Sequence, residues 1–134
     1  MSPIVIGPDS NVQDGVIIHA IKGTEVVIGR SSSISHGAIV HGPAKIGNGC
    51  FLGFRAVVFG ATIGDGAYIG AAAVVQNVEL ASNAFVPPGS AVLTQAHADS
   101  LRHTEMYERD FMDGVLRANV RLAKGYMAME GEAT

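Results

Sequence analysis

The chain has 134 residues, of which 48% are hydrophobic and only 16% charged, with 17 glycines and a formal net charge of −3. A single domain of that length has room for a core yet gains from oligomerisation, and its mild acidity argues against nucleic acid or an anionic membrane surface as a partner. The lone Cys50 rules out an intrachain disulfide and a cysteine-rich metal cluster, and it reads as a small buried hydrophobe.

No apolar run approaches the ~20 residues of a membrane-spanning helix. The start, Met1-Ser2-Pro3-Ile4, lacks the charged and apolar regions of a secretory leader. The expectation is a cytoplasmic protein with no membrane association.

Taken in order, the chain keeps time in sixes. Ile6, Val12 and Ile18 are spaced by six, and after Ile18 the next aliphatic beat, Ile28, arrives ten residues later. The four additional residues must bulge out as a loop, within Ala20-Ile21-Lys22-Gly23-Thr24-Glu25. From Ile28 the beat is unbroken through Ile34, Val40, Ile46, Leu52 and Val58. It continues at Ile63, Ile69, Val75, Leu80, Val86 and Val92, with two steps shortened to five. A six-residue period is not helical, and alternation alone would not hold aliphatic residues to every sixth position. It marks a chain coiling around a triangular prism, one short strand per side.

Three hexads make one coil, so the inward rows are Ile6/Ile28/Ile46/Ile63/Leu80, Val12/Ile34/Leu52/Ile69/Val86 and Ile18/Val40/Val58/Val75/Val92. Five coils at a strand spacing of ~4.8 Å give a prism roughly 24 Å tall. Gly7, Gly29, Gly47 and Gly64 each follow a first-row residue, which fits a corner that only a small residue can turn. The fold expected is mainly β: a parallel β-helix of about five coils, followed by a C-terminal α-helix. Its left hand is taken from known hexapeptide-repeat proteins. Residues 1–95 form the β-helix and 96–134 the connector and helix packed on the prism. From about Thr104 the stripe Tyr107, Phe111, Val115, Ala118, Leu122 and Tyr126 has helical spacing and is expected to face the prism or a neighbour. The tail from Met127 is expected to fray.

Three histidines fall in informative phase. His19 follows Ile18 and His41 follows Val40, in the same row one coil apart, so their rings should stack on one edge of the prism. Two imidazoles at that spacing can converge on one metal at the ~2.0–2.1 Å of a Zn–N bond, or they can simply be solvated. His36 belongs to another row, and five residues of extended chain put it up to ~16 Å from His41. It could join such a metal only from a neighbouring subunit. The arithmetic therefore predicts a trimer with three interfacial sites, each taking His19 and His41 from one chain and His36 from the next. Three histidines with an open fourth position is the pattern of a catalytic zinc. His97 and His103 lie beyond the coil and read as solvated.

The residues also carry a resemblance. The run Ser10-Asn11-Val12-Gln13-Asp14-Gly15-Val16-Ile17-Ile18-His19 is the first part, with Ser35-His36 and Val40-His41-Gly42-Pro43-Ala44 next. The runs from Phe51 to Phe59 and from Asn119 to Tyr126 complete it, and together they resemble the gamma-class carbonic anhydrases. The resemblance implies a homotrimer that binds Zn2+, with Fe2+ or Co2+ as alternatives, at His19, His36 and His41. It implies reversible hydration of CO2 to bicarbonate. It also implies a place for Gln13 beside the metal-bound solvent, for Asn119 in the same pocket, and for Asp14 in an arginine pair across the trimer interface.

Members of that family carry about two further coils upstream, holding that arginine and an acidic residue credited with proton transfer, whereas this chain begins almost at the Asn-Val-Gln-Asp-Gly stretch. The loop after His19 offers Lys22, and its nearest carboxylate is Glu25. A lysine with an ordinary pKa of ~10.4 is a poor proton acceptor at neutral pH. Two other readings therefore stand beside the enzyme: a non-catalytic or weakly active metal-binding assembly subunit, and a hexapeptide acyltransferase.

Overall fold

In the computed structural model, which describes residues 2–133, the six-residue beat is a five-coil parallel β-helix. Met1 and Thr134, the outer bounds of the two expected segments, lie outside the described residues. The first coil comprises β1 (Ile4–Ile6), β2 (Asn11–Val12) and β3 (Ile17–His19), and the second β4 (Val26–Ile28), β5 (Ser33–Ile34) and β6 (Ile39–His41). Then follow β7 (Ala44–Ile46), β8 (Phe51–Leu52) and β9 (Val57–Phe59), and next β10 (Thr62–Ile63), β11 (Tyr68–Ile69) and β12 (Val74–Gln76). The last coil is β13 (Glu79–Leu80), β14 (Phe85–Val86) and β15 (Ala91–Val92). Every third strand pairs in parallel, giving three five-stranded sheets in the orders β1-β4-β7-β10-β13, β2-β5-β8-β11-β14 and β3-β6-β9-β12-β15.

The register reproduces the three inward rows residue for residue: Ile28 pairs with Ile46, Ile34 with Leu52 and Val40 with Val58. From the second coil onward these side chains are almost wholly buried. The corner glycines earn their place by close approach rather than by unusual dihedrals. A Cβ on Gly29 would lie 2.6 Å from the backbone C and O of Gly47 and would strike the Asn48 side chain.

The two ends of the prism differ. At the last coil, Gln95 opens the short helix α1 (Gln95–Asp99), and its side-chain amide accepts from Glu79 N at 2.9 Å and donates to Glu79 O at 2.8 Å. One side chain thereby does the work of a further strand on β13. At the first coil nothing comparable exists among the described residues, and Ile6 and Val12 of the inward rows remain 43% and 44% exposed.

The second helix, α2 (Met106–Ala133), continues to Ala133 where a frayed tail from Met127 was expected. Its docking face is also rotated from the expected stripe. Glu108 and Met112 are buried and Val115, Leu116 and Asn119 half-buried, whereas Tyr107, Phe111, Leu122 and Tyr126 remain exposed. The reason is local. Glu108 pairs with Arg102 at 2.5 Å, and the Arg102 guanidinium lies 3.9 Å over the Phe85 ring, so the first turn is fixed by a charge. Phe85, Tyr68 and Phe51 stack as a ladder on the outside of β14, β11 and β8, and Phe111 closes edge-on against Phe51. The helix runs from there to the first coil, where Asn119, Ala123, Lys124 and Tyr126 line one cavity with Asp9 to Asp14.

Candidate metal centre

Strand alternation sets the candidate residues. In β3 and β6 the middle residues, Ile18 and Val40, point inward, so His19 and His41 point out of the same sheet, directly paired in register. Nδ1 of His19 stands 3.2 Å from Nε2 of His41, and the ring centroids are 5.0 Å apart. The His41 Nδ1 lies 2.9 Å from the carbonyl oxygen of Gly42. A carbonyl can only accept, so that nitrogen carries the proton and Nε2 keeps its lone pair, turned toward His19. Two nitrogens on one tetrahedral zinc would be about 3.3 Å apart at Zn–N distances of 2.0–2.1 Å. The observed pair fits that edge. One coil further on, Phe59 pairs with His41 in register and packs edge-on at 4.9 Å, holding the ring from the other side. Phe59 follows Val58 as His41 follows Val40, so phase alone could have found it.

His36 stands elsewhere. It lies in the turn after β5, stacked at 5.7 Å and 7° on Phe54 from the next coil. Among the described residues no three histidine, cysteine or carboxylate side chains come together as a metal site. Within one chain, therefore, His19 and His41 form a pair and His36 stands apart from it.

His36 has its own company. It lines a cavity of about 610 Å³ between α2 and the first coil, together with Asn11, Gln13, Asn119, Lys124 and Tyr126. Gln13 Nε2 donates to Asn11 Oδ1 at 3.0 Å, and Asn11 Nδ2 donates to Ser33 Oγ at 2.8 Å. Asn119 Nδ2 donates to Val115 O at 2.9 Å. Gln13 and Asn119 are thus brought to His36 and not to the His19–His41 pair. Asn11 escaped the sequence reading as a site residue, although its position two before Gln13 puts both on the outward face. Asp14 has no ion-pair partner among the described residues, where Arg102–Glu108 is the salt bridge found; its carbonyl accepts from Gly37 N at 3.0 Å. His97 and His103 are exposed.

Comparison with known proteins separates fold from site. Residues 43–77 match the family model described as the hexapeptide repeat of succinyl-transferase. The chain is 36% identical over 136 residues to the carboxysome assembly protein CcmM of Nostoc, covering 94% of this chain and 24% of that one. It is 34% identical over 145 residues to a carbonic anhydrase of Methanosarcina thermophila, covering 92% of this chain and 59% of that one. The chain therefore spans less than two thirds of these relatives. Among solved structures, an acetyltransferase-described protein of Bacillus cereus superposes with a TM-score of 0.80 at 24% identity, covering 96% of this chain and 71% of that one. A hexapeptide transferase family protein of Anaplasma phagocytophilum superposes with a TM-score of 0.73 at 16% identity, covering 92% and 81%. At those identities the two structures speak for the fold alone.

Proposed function

We propose that this chain, a left-handed hexapeptide-repeat β-helix with gamma-class carbonic anhydrase among its homologues, forms a homotrimer that hydrates CO2 reversibly at metal sites shared between subunits. Each site takes His19 and His41 from one chain and His36 from the next. The observation that supports this most is the His19–His41 pair: its 3.2 Å nitrogen separation suits one zinc ion, and Gly42 holds the His41 tautomer that leaves a ligating lone pair. The outer face of the His19/His41 sheet favours burial against a neighbour, since Ile17 is 58% exposed and Ile39, Val57 and Val74 continue the apolar row beside it.

A zinc bound there supplies an acidified water that serves as nucleophile near neutral pH. The rest falls to the chain's own groups. Gly42 and Phe59 keep His41 in one orientation, and Phe54 does the same for His36. Gln13 and Asn119 bring amide groups to the His36 side of the site, where they orient the reacting oxygens. Lys124 adds positive charge on the bicarbonate side.

The test combines metal analysis, native mass and stopped-flow CO2 hydration. The zinc-loaded or anaerobically iron-loaded trimer should carry one metal per chain and hydrate CO2, and His41→Ala should lose both metal and activity. Hydration equal to that of His41→Ala would refute catalysis. A second reading has its own support in the similarity to CcmM, an assembly protein: metal-loaded trimers with no hydration activity that associate with other proteins. The acyltransferase reading rests on fold alone, and a melting temperature unmoved by coenzyme A would dispose of it.

A further inference from the structure

We infer that a second groove along α2, walled by Arg117, Arg121 and Lys124, docks an acidic segment of another protein, with apolar side chains of that segment seated between the cations and the prism. Neither Gln13 nor His36 lines this groove, so the inference stands apart from CO2 hydration.

The three cations recur at i, i+4 and i+7, which sets them along one stripe of the helix about 10 Å long. All three are exposed. In a chain of net charge −3, they are a third of its nine lysines and arginines. Between Asp113 and Glu130 the helix carries no acidic residue, and none of the three has an ion-pair partner among the described residues. Arg117 with Arg121, and Arg121 with Lys124, are like charges at neighbouring positions, and such pairs weaken a helix. The stripe therefore costs the free chain stability, and an anionic partner would relieve it.

The stripe borders a groove of about 510 Å³. Half-buried Leu116 and Val120 form its floor, and Asp9 and Ser31, from corners of the first two coils, form the wall facing the helix. An apolar floor beneath a charged rim is the layout of a protein interface, and arginine clusters are a usual receptor for acidic motifs. Asp9 helps to choose among polyanions. A peptide can set a backbone N–H or a hydroxyl against that carboxylate, whereas a phosphate backbone brings charge at every nucleotide. The floor needs an apolar side chain, which a peptide carries and a phosphate backbone lacks. The cations also line a hollow rather than rim a protruding apolar face, which is the wrong shape for a lipid surface.

The test measures fluorescence anisotropy of a fluorescein-labelled peptide, glutamate pairs alternating with single leucines, against the native oligomer. Wild type should bind it, and added salt should weaken the complex. Arg117→Gln with Arg121→Gln should weaken it about tenfold, the effect of two partly exposed ion pairs. That variant should keep its native mass and metal content and melt no lower than wild type, since a like-charge repulsion is gone. Replacing the leucines of the peptide by serine should cost about another tenfold on wild type, a measurement that needs no variant. Equal binding by the double variant, or equal binding of the serine peptide, overturns the inference. So does tighter binding of an oligothymidylate or of phosphatidylserine vesicles, which would assign the stripe to nucleic acid or membrane. A protein that binds the peptide but hydrates no CO2 leaves the inference standing and removes only the enzymatic reading.

Discussion

A single hydrogen bond decides what His41 can be. With Nδ1–H given to the Gly42 carbonyl, Nε2 is left as a lone pair facing His19, the tautomer that the proposed metal site needs. Phase in the sequence put the two rings on one edge, because a strand residue one after an inward beat must point outward. The same phase puts Phe59 on that edge, but the Gly42 contact and the edge-on tilt of the Phe59 ring were not legible, since both depend on side-chain rotamers. The same scale explains the inertness expected of Cys50. Burial pushes its thiol up to about 11, against the smaller lowering from nearby backbone hydrogen bonds. At pH 8 the thiolate fraction is then on the order of one in a thousand. A maleimide reagent should leave Cys50 unmodified in the folded protein and label it fully in denaturant; fast labelling under native conditions would contradict the burial.

At the scale of elements, the six-residue period dictated the strands and their register, and α2 shows where such reasoning stops. Periodicity found an apolar stripe and assigned it to the prism or a neighbour, and on the prism the helix docks instead through Glu108, Met112 and their neighbours. An apolar stripe states that some surface will be buried, not which one. Arg102 resolved the choice: lying over Phe85 and paired with Glu108, it fixes the first turn of the helix on a charge. Burial alone would raise the Glu108 carboxyl, yet the hydrogen bond and charge of Arg102, with backbone hydrogen bonds, bring it below its ordinary value of 4.5. A depressed folded pKa stabilises above the unfolded value and is lost as pH falls through the folded one. The melting temperature should therefore fall on acidification below about pH 4.5. Glu108→Gln should lower it at neutral pH and flatten this part of the acid dependence. A variant whose acid profile matches wild type would remove Glu108 from the account.

For the whole molecule, the controlling observation is that the fold of one chain does not bring His36 to His19 and His41. If three chains complete the site, His36→Ala should bind no metal while retaining its coil, because the residue serves a neighbour. His41→Ala should fail for the opposite reason. Unfolding and reassembling the two variants together in equal amounts should restore metal to about one site in four, the chance that an intact His19–His41 pair meets an intact His36 in a ring of three. Metal recovered by His36→Ala alone, or none recovered by the mixture, would count against shared sites.

The sequence alone determined the rows, the five coils, the outward edge shared by His19 and His41, and the separation of His36. All of these are consequences of counting residues around a prism of fixed geometry. Tertiary structure decided which face of α2 docks, the tautomer of His41, the aromatic supports of both histidine groups and the gathering of Gln13, Asn11 and Asn119 beside His36. These depend on which side chain meets which across elements far apart in the chain, and a local period carries no record of that.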